Sequence, residues 1–230
     1  MIKKVEKNVL KNFMVAGVLL FVFILFTMGV STIDVQAIGP NNSEIGFATW
    51  NNKVTEIIGI HPVWYTITEW LGYASIMVAG CFALLGLWQM IQRKSLLRID
   101  RDILLLGCFY CLVMVAYVLF EIVIINYRPV IINVEEGLEA SFPSSHTMLV
   151  MCIMGTAIMQ FHFRIKAKAM RVLAEILSII TIVVTVVGRL ISGVHWFTDI
   201  VGGILLGAAL IMLYYAAITA GQCSYDNTTR

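Results

Sequence analysis

The chain has 230 residues, of which 60% are apolar and only 13% charged. Soluble globular domains average roughly 45–50% apolar residues, so these figures exclude an ordinary soluble domain and imply a membrane as solvent. A formal charge of +2, with no basic cluster interleaved with aromatics, argues against a nucleic-acid partner.

Six apolar stretches approach or exceed the roughly 20 residues that cross a hydrocarbon core. They fall at about 14–33, 67–91, 103–125, 147–163, 173–191 and 200–220. The first is followed by Val35-Gln36-Ala37, which resembles a signal-peptide cleavage site. Its apolar run exceeds the roughly 7–15 residues of a signal sequence, so a retained anchor is expected. Between 34 and 69 come turn residues (Gly39-Pro40-Asn41-Asn42), then Trp50, Ile57, Ile58, Ile60, Trp64 and Tyr65. This pattern predicts a short interfacial helix with aromatic anchors. His61, before Pro62, is expected to be a solvated loop residue. The fourth stretch opens beside Pro143-Ser144-Ser145, and it contains His162, expected as an interhelical hydrogen bonder. Gly202, Gly203 and Gly207 in the sixth permit close helix packing. The five cysteines (81, 108, 111, 152, 223) have no framework spacing and are expected as small core residues without disulfide or metal. No repeat or linker divides the chain, so the expected fold is an all-α, six-helix transmembrane bundle forming a single domain over 1–230.

Cations set the orientation. Lys3, Lys4, Lys7 and Lys11 precede the first stretch; Arg93, Lys94, Arg98 and Arg101 join the second to the third; Arg164, Lys166, Lys168 and Arg171 join the fourth to the fifth. With alternating spans these fall on one side together with Arg230, and only Lys53, Arg128 and Arg189 fall on the other. The positive-inside bias then predicts cytoplasmic termini.

Three polar clusters interrupt the apolar pattern, all at the outer ends of spans. They are Glu121 to Pro129, Pro143-Ser144-Ser145-His146, and Gly188-Arg189 through Ser192, His195 and Asp199. Ionisable groups at membrane depth are costly and are functional candidates by default. Two guanidinium forks suit the oxygens of a phosphoryl group, and the helix start after Pro143 adds backbone donors. His195 and Asp199 are four apart, one helical face. The carboxylate can hold one ring N–H and leave the other nitrogen to attack phosphorus, while His146 protonates the departing oxygen. A zinc site from these histidines is disfavoured, because a third close ligand is missing and arginines stand nearby. Glu135, Glu136 and Glu139 are expected in a solvated loop.

These clusters resemble the three-part signature of the type 2 phosphatidic acid phosphatase superfamily. Arg128-Pro129 match its first block, Pro143, Ser144 and His146 its second, and Arg189, His195 and Asp199 its third. The resemblance implies a lipid phosphatase that needs no metal or other cofactor. In it His195 is the nucleophile that forms a phosphohistidine, Asp199 orients it, and His146 is the general acid. Arg128, Arg189, Ser144 and the backbone at Ser145 would hold the phosphoryl oxygens. Candidate substrates are phosphatidate, phosphatidylglycerophosphate or a polyprenyl diphosphate such as undecaprenyl diphosphate, met at the outer face of what is expected to be a bacterial plasma membrane. Partners beyond membrane lipids, and the oligomeric state, are not indicated. Three positions depart from the signature: Glu121 for lysine, Ser145 for glycine and Gly188 for serine. Glu121 lies seven residues before Arg128 and is expected either to pair with it or to meet an amine on the substrate headgroup. Two alternatives stay open at this point, a lipid-phosphate phosphotransferase and a catalytically silent lipid-binding protein.

Overall fold

The computed structural model describes residues 2–132, 135 and 137–228, with side chains from 8 to 221. Glu136 and Arg230, and the side chains of Lys3, Lys4, Lys7 and Cys223, lie outside the described residues. Among the described residues seven α-helices follow in order: α1 (Ile2–Thr32), α2 (Ala48–Ile58), α3 (Val63–Arg93), α4 (Arg101–Ile122), α5 (Ser145–Arg164), α6 (Lys168–Ile191) and α7 (Phe197–Thr228). All but α2 are long and apolar enough to cross a membrane. Backbone polar groups have no water to bond in hydrocarbon, so an apolar run of this length forms a helix that bonds to itself. The four prolines, 40, 62, 129 and 143, all stand outside helix interiors, where a missing N–H breaks no ladder. Among the described residues there is no strand, only the isolated bridges Gln36–Ile45 and Tyr127–Ala140.

α5 and α7 form the centre. Half of the most apolar window of each is buried, against 11–22% for α1, α3, α4 and α6, whose outer faces are left for lipid. α1 packs along α7, and α3 and α6 pack on α5. Leu206, Leu210 and Tyr214 of α7 meet Met148 and Cys152 of α5 in the main core. The polar first turn of α5 is therefore placed at the bundle's centre rather than at its rim. At the opposite end, the basic turns are tied to acids. Arg93 meets Asp100 at 2.8 Å, and Arg164 reaches Asp100 at 3.2 Å and Asp102 at 2.6 Å.

Several details differ from expectation. α4 stops at Ile122, short of 125, so Glu121 and Arg128 do not share a helical face. The expected interfacial helix is present as α2, but Trp64 and Tyr65 belong to the first turn of α3, which Pro62 starts. Along α2, Trp50 and Ile57 face outward while Ala48 and Asn51 are buried. Cys81, Cys108 and Cys111 lie on exposed helix faces, so of the described cysteines only Cys152 is a core residue. His162 accepts the role expected of it, meeting Glu175 of α6 at 3.2 Å, and His61 is exposed.

Candidate active site

Among the described residues between α4 and α5 there is no helix, and the stretches 123–132 and 137–144 are joined by backbone pairing. Ser141 N–H donates to Asn126 O at 2.9 Å, and Arg128 N–H donates to Glu139 O at 3.1 Å. This pairing sets Arg128 and Ser141 side by side. Phe142 then drops into an aromatic nest of Phe23, Phe26 and Phe120, with ring centroids 6.2–6.3 Å away. Gly202 and Gly203 make room for it. A Cβ at Gly202 would stand 2.5 Å from the Phe142 ring, and one at Gly203 would stand 2.9 Å from Ser144 O. The packing role expected for these glycines is thus what seats the start of α5 against α7. Ser144 N–H donates to Asp199 O at 2.9 Å, which closes the two helix starts on each other.

His195 lies in the turn between α6 and α7, buried at 3% exposure. Its Nδ1 is 3.8 Å from Asp199 Oδ2, too far for the direct hydrogen bond that their spacing suggests. Ser141 fills the gap. Its Oγ is 3.0 Å from His195 Nδ1 and donates to Asp199 Oδ2 at 2.5 Å. A hydroxyl has one proton, and the carboxylate takes it, so Ser141 Oγ accepts from Nδ1–H and the lone pair of His195 stays on Nε2. Asp199 is held further by Trp196 N–H at 2.8 Å and Asn126 Nδ2 at 3.3 Å. Asn126 accepts from Gly46 N–H at 3.3 Å, and Asn51 ties Gly46 O at 2.9 Å to Thr198 at 3.0 Å. The loop before α2 is in this way part of the support for Asp199. Burial, and then the charges of Arg128 and Arg189, hold the His195 imidazole well below its ordinary range, so it is neutral at pH 7.

The other predicted residues surround it. Arg128 and Arg189 both lie within electrostatic reach of His195, and His146 is within reach of all three. Arg128 pairs with Glu139 at 3.0 Å, not with Glu121, so Glu139 is an ion-paired wall residue rather than a solvated one. Arg189 is fully buried, with Tyr65 5.0 Å below its guanidinium and Glu69 on Nη2 at 2.5 Å. Ser145 opens α5 in ordinary helical geometry, so this position needs no glycine. Gly188 has its own reason: a Cβ there would stand 2.6 Å from Thr68 Cγ2 of α3. Buried polar atoms are nearly always satisfied in native proteins. Here Arg128 Nη1, Ser144 Oγ, His146 Nδ1, Arg189 Nε and Nη1, and His195 Nε2 have no hydrogen-bond partner among the described residues. Five donors or amphiprotic groups around one free ring nitrogen suit a phosphoryl group. Among the described residues, no three His, Cys, Asp or Glu side chains are grouped to hold a metal ion.

From this cluster a groove of about 870 Å³ descends between α3, α4 and α5. Glu69, Glu121, Arg128, Glu139 and His146 line its polar part, and Ile76, Ala79, Met114, Leu149 and Ile153 its apolar part. From Glu69 to Ala79 is roughly 15 Å along the helix, about half of a hydrocarbon core.

Comparison with known proteins agrees with this picture. The family model described as the PAP2 superfamily matches residues 102–222. No curated protein matches the chain. Among solved structures, the chain is similar to the first transmembrane PAP2-type phosphatidylglycerolphosphate phosphatase from Bacillus subtilis. The TM-score is 0.60 at 17% identity, with 94% of this chain and 97% of that one covered, a likeness of fold. The structure is that of a multi-pass membrane protein.

Proposed function

Because the chain belongs to the PAP2 superfamily, we propose that it is a membrane lipid phosphatase acting through a phosphohistidine on His195. The observation that carries this reading is the set of partnerless buried donors on Arg128, Arg189 and His146, all within electrostatic reach of His195, whose own Nε2 is unpartnered among the described residues. The substrate's phosphoryl oxygens meet Arg128, Arg189 and Ser144, whose donors are fixed before the reaction and stabilise the charge that develops in it. His195 Nε2 attacks phosphorus, the bond to the lipid oxygen breaks, and that oxygen takes a proton from His146. Water then attacks the phosphohistidine, giving its proton to His146 as the P–N bond breaks. Charge stabilisation rests on two arginines, so no metal has a step to perform. The apolar lower part of the groove suits the chains of a lipid in the leaflet at this end of the bundle. The cation asymmetry supports an extracytoplasmic site with both termini in the cytoplasm. Lipid monophosphates, including the phosphatidylglycerophosphate of the similar structure, and polyprenyl diphosphates all present the required group.

The direct test offers detergent-solubilised protein these lipids and measures released phosphate with and without a chelator. Release that chelation leaves intact is expected; release lost with chelator and restored by a divalent ion contradicts the mechanism.

Ser141 is given the task of orienting His195. Ser141→Ala leaves the 3.8 Å separation between ring and carboxylate unbridged. A hydrogen bond to a charged group contributes about 1.5–3 kcal/mol, which corresponds to a loss in kcat of roughly tenfold to a hundredfold, with KM little changed. A kcat equal to that of the unaltered protein would remove Ser141 from the mechanism.

Protonation of His195 is open to direct observation. A lowered pKa means the imidazole stays neutral, and therefore nucleophilic, until the pH falls through that lowered value. In a side-chain NMR titration, with His195→Ala assigning the signal, His195 is expected to be neutral at pH 6.5, the ordinary histidine midpoint. Half-protonation at or above that pH is the contrary result.

A further inference from the structure

Glu69 belongs to no motif and lies outside the family match, on α3. One of its oxygens, Oε1, does two things. It accepts from Arg189 Nη2 at 2.5 Å and stands 3.1 Å from His146 Nε2. Glycines bring the three helices close enough for this. Gly188 lets α6 approach Trp64 and Thr68 of α3, and a Cβ at Gly72 would stand 3.3 Å from His146 Cδ2. Arg189 keeps Nε and Nη1 without a partner among the described residues, and His146 keeps Nδ1. Each histidine thus has one ring nitrogen held by an acid and the other unengaged: Nδ1 of His195 through Ser141, and Nε2 of His146 on Glu69.

We propose that Glu69 is a positioning residue of the reaction, fixing Arg189 for the phosphoryl group and keeping a proton on His146 Nε2. The proton delivered to the leaving oxygen then comes from His146 Nδ1. This rests on the phosphohistidine reading above. As His195 Nε2 bonds to phosphorus, the electron pair of the P–O bond goes to the lipid oxygen, which takes the Nδ1 proton. Neutral His146 keeps its Nε2–H on Glu69. In the second half Nδ1 accepts a proton from water as the water oxygen bonds to phosphorus, and the P–N electron pair returns to His195. The carboxylate is needed because Arg128 and Arg189 both repel a third cation in a site poor in water, where charges act strongly on one another. Glu69 is the anion beside His146 that acts against them.

The test compares two leaving groups on the full-length protein in detergent. An alkyl phosphate, dioctanoyl phosphatidate, needs a proton on its departing oxygen; p-nitrophenyl phosphate leaves as a stable phenolate and does not. Glu69→Gln keeps the size of the side chain and its acceptor oxygen but removes the charge. General acid catalysis contributes typically about 10²–10⁴ in rate. Glu69→Gln leaves His146 in place, so kcat on the alkyl substrate is expected to fall roughly tenfold to a hundredfold, and on the aryl substrate less than about threefold. Glu69→Asp, which keeps the charge, is expected to preserve the ratio between the two substrates, and it serves if the glutamine variant does not fold. Equal losses on both substrates would overturn the proton role of Glu69 and leave only its hold on Arg189, and no loss on the alkyl one would overturn both. His195→Ala, run alongside, is expected to lose both. Turnover of both substrates surviving in that variant would overturn the phosphohistidine reading itself, a result distinct from the Glu69 ratio.

Discussion

Replacing His195 with alanine is expected to lower phosphate release from a lipid phosphate by about 10⁴-fold or more, with the protein still folded. In the proposed mechanism the nucleophile makes the bond that divides hydrolysis into two steps, and His195 Nε2 is a buried, partnerless ring nitrogen beside both arginines, whereas His146 is given the proton transfer. Ser141 and Asp199 remain bonded to each other without the ring, at 2.5 Å, so the support behind the histidine survives its loss. Truncating a buried side chain still costs stability, about 1–3 kcal/mol, which leaves a cooperative thermal transition. Two measurements check this: initial rates of phosphate release, and a phosphoryl label trapped on the protein. The label in the unaltered protein is expected to be stable in alkali and lost in acid, as a phosphoramidate is, and to be missing from His195→Ala. Full labelling of that variant would assign the intermediate elsewhere.

Arg189→Ala is expected to produce two separable losses. The first is catalytic. A fully buried guanidinium with two partnerless nitrogens is the strongest fixed donor near the phosphoryl position, and removing one such donor costs roughly 10²–10³ in rate. Lysine does not restore it, because a single ammonium cannot reproduce the planar fork that Tyr65 supports from 5.0 Å. The second is structural. Glu69 loses its 2.5 Å partner and is left with His146 alone, at 3.1 Å, and breaking such an ion pair away from water costs about 3 kcal/mol. Thermal melts in detergent therefore distinguish the two. The pair Arg189→Ala with Glu69→Ala is expected to recover most of the lost melting temperature and none of the lost activity. Recovery of both, or of neither, would show that the arginine acts in one capacity only.

The spans were legible because hydrocarbon removes every alternative to a self-bonded helix, so an apolar run of sufficient length leaves the chain no choice. The motif residues were legible for the complementary reason: Arg128, His146, Arg189, His195 and Asp199 are ionisable groups at the ends of such runs, where packing gives no account of them. What the sequence concealed acts between elements far apart in the chain. Ser141 meets His195 across 54 residues and Asn51 meets Thr198 across 147, and a serine or asparagine carries no signal that it will be buried behind an acid. Glu69 meets Arg189 across 120 residues, but it did carry a signal. It is a carboxylate inside the apolar run 67–91, and the cost of placing it there pointed to a partner within the bundle. The expected pairing of Glu121 with Arg128 failed for a local reason. The apolar run 103–125 outlasts the helix by three residues, and the backbone pairing that sets Arg128 beside Glu139 has no periodicity to reveal it.

Under the proposed function, the groove between α3, α4 and α5 has a kinetic consequence. A lipid that reaches the two histidines by gliding sideways within its own leaflet never leaves the bilayer, so encounters occur in a sheet and not in a volume. Turnover then answers to how crowded that sheet is with substrate, whatever the amount dissolved in the surrounding water. Dispersing the same number of molecules among more carrier lipid or detergent slows the enzyme as surely as removing them.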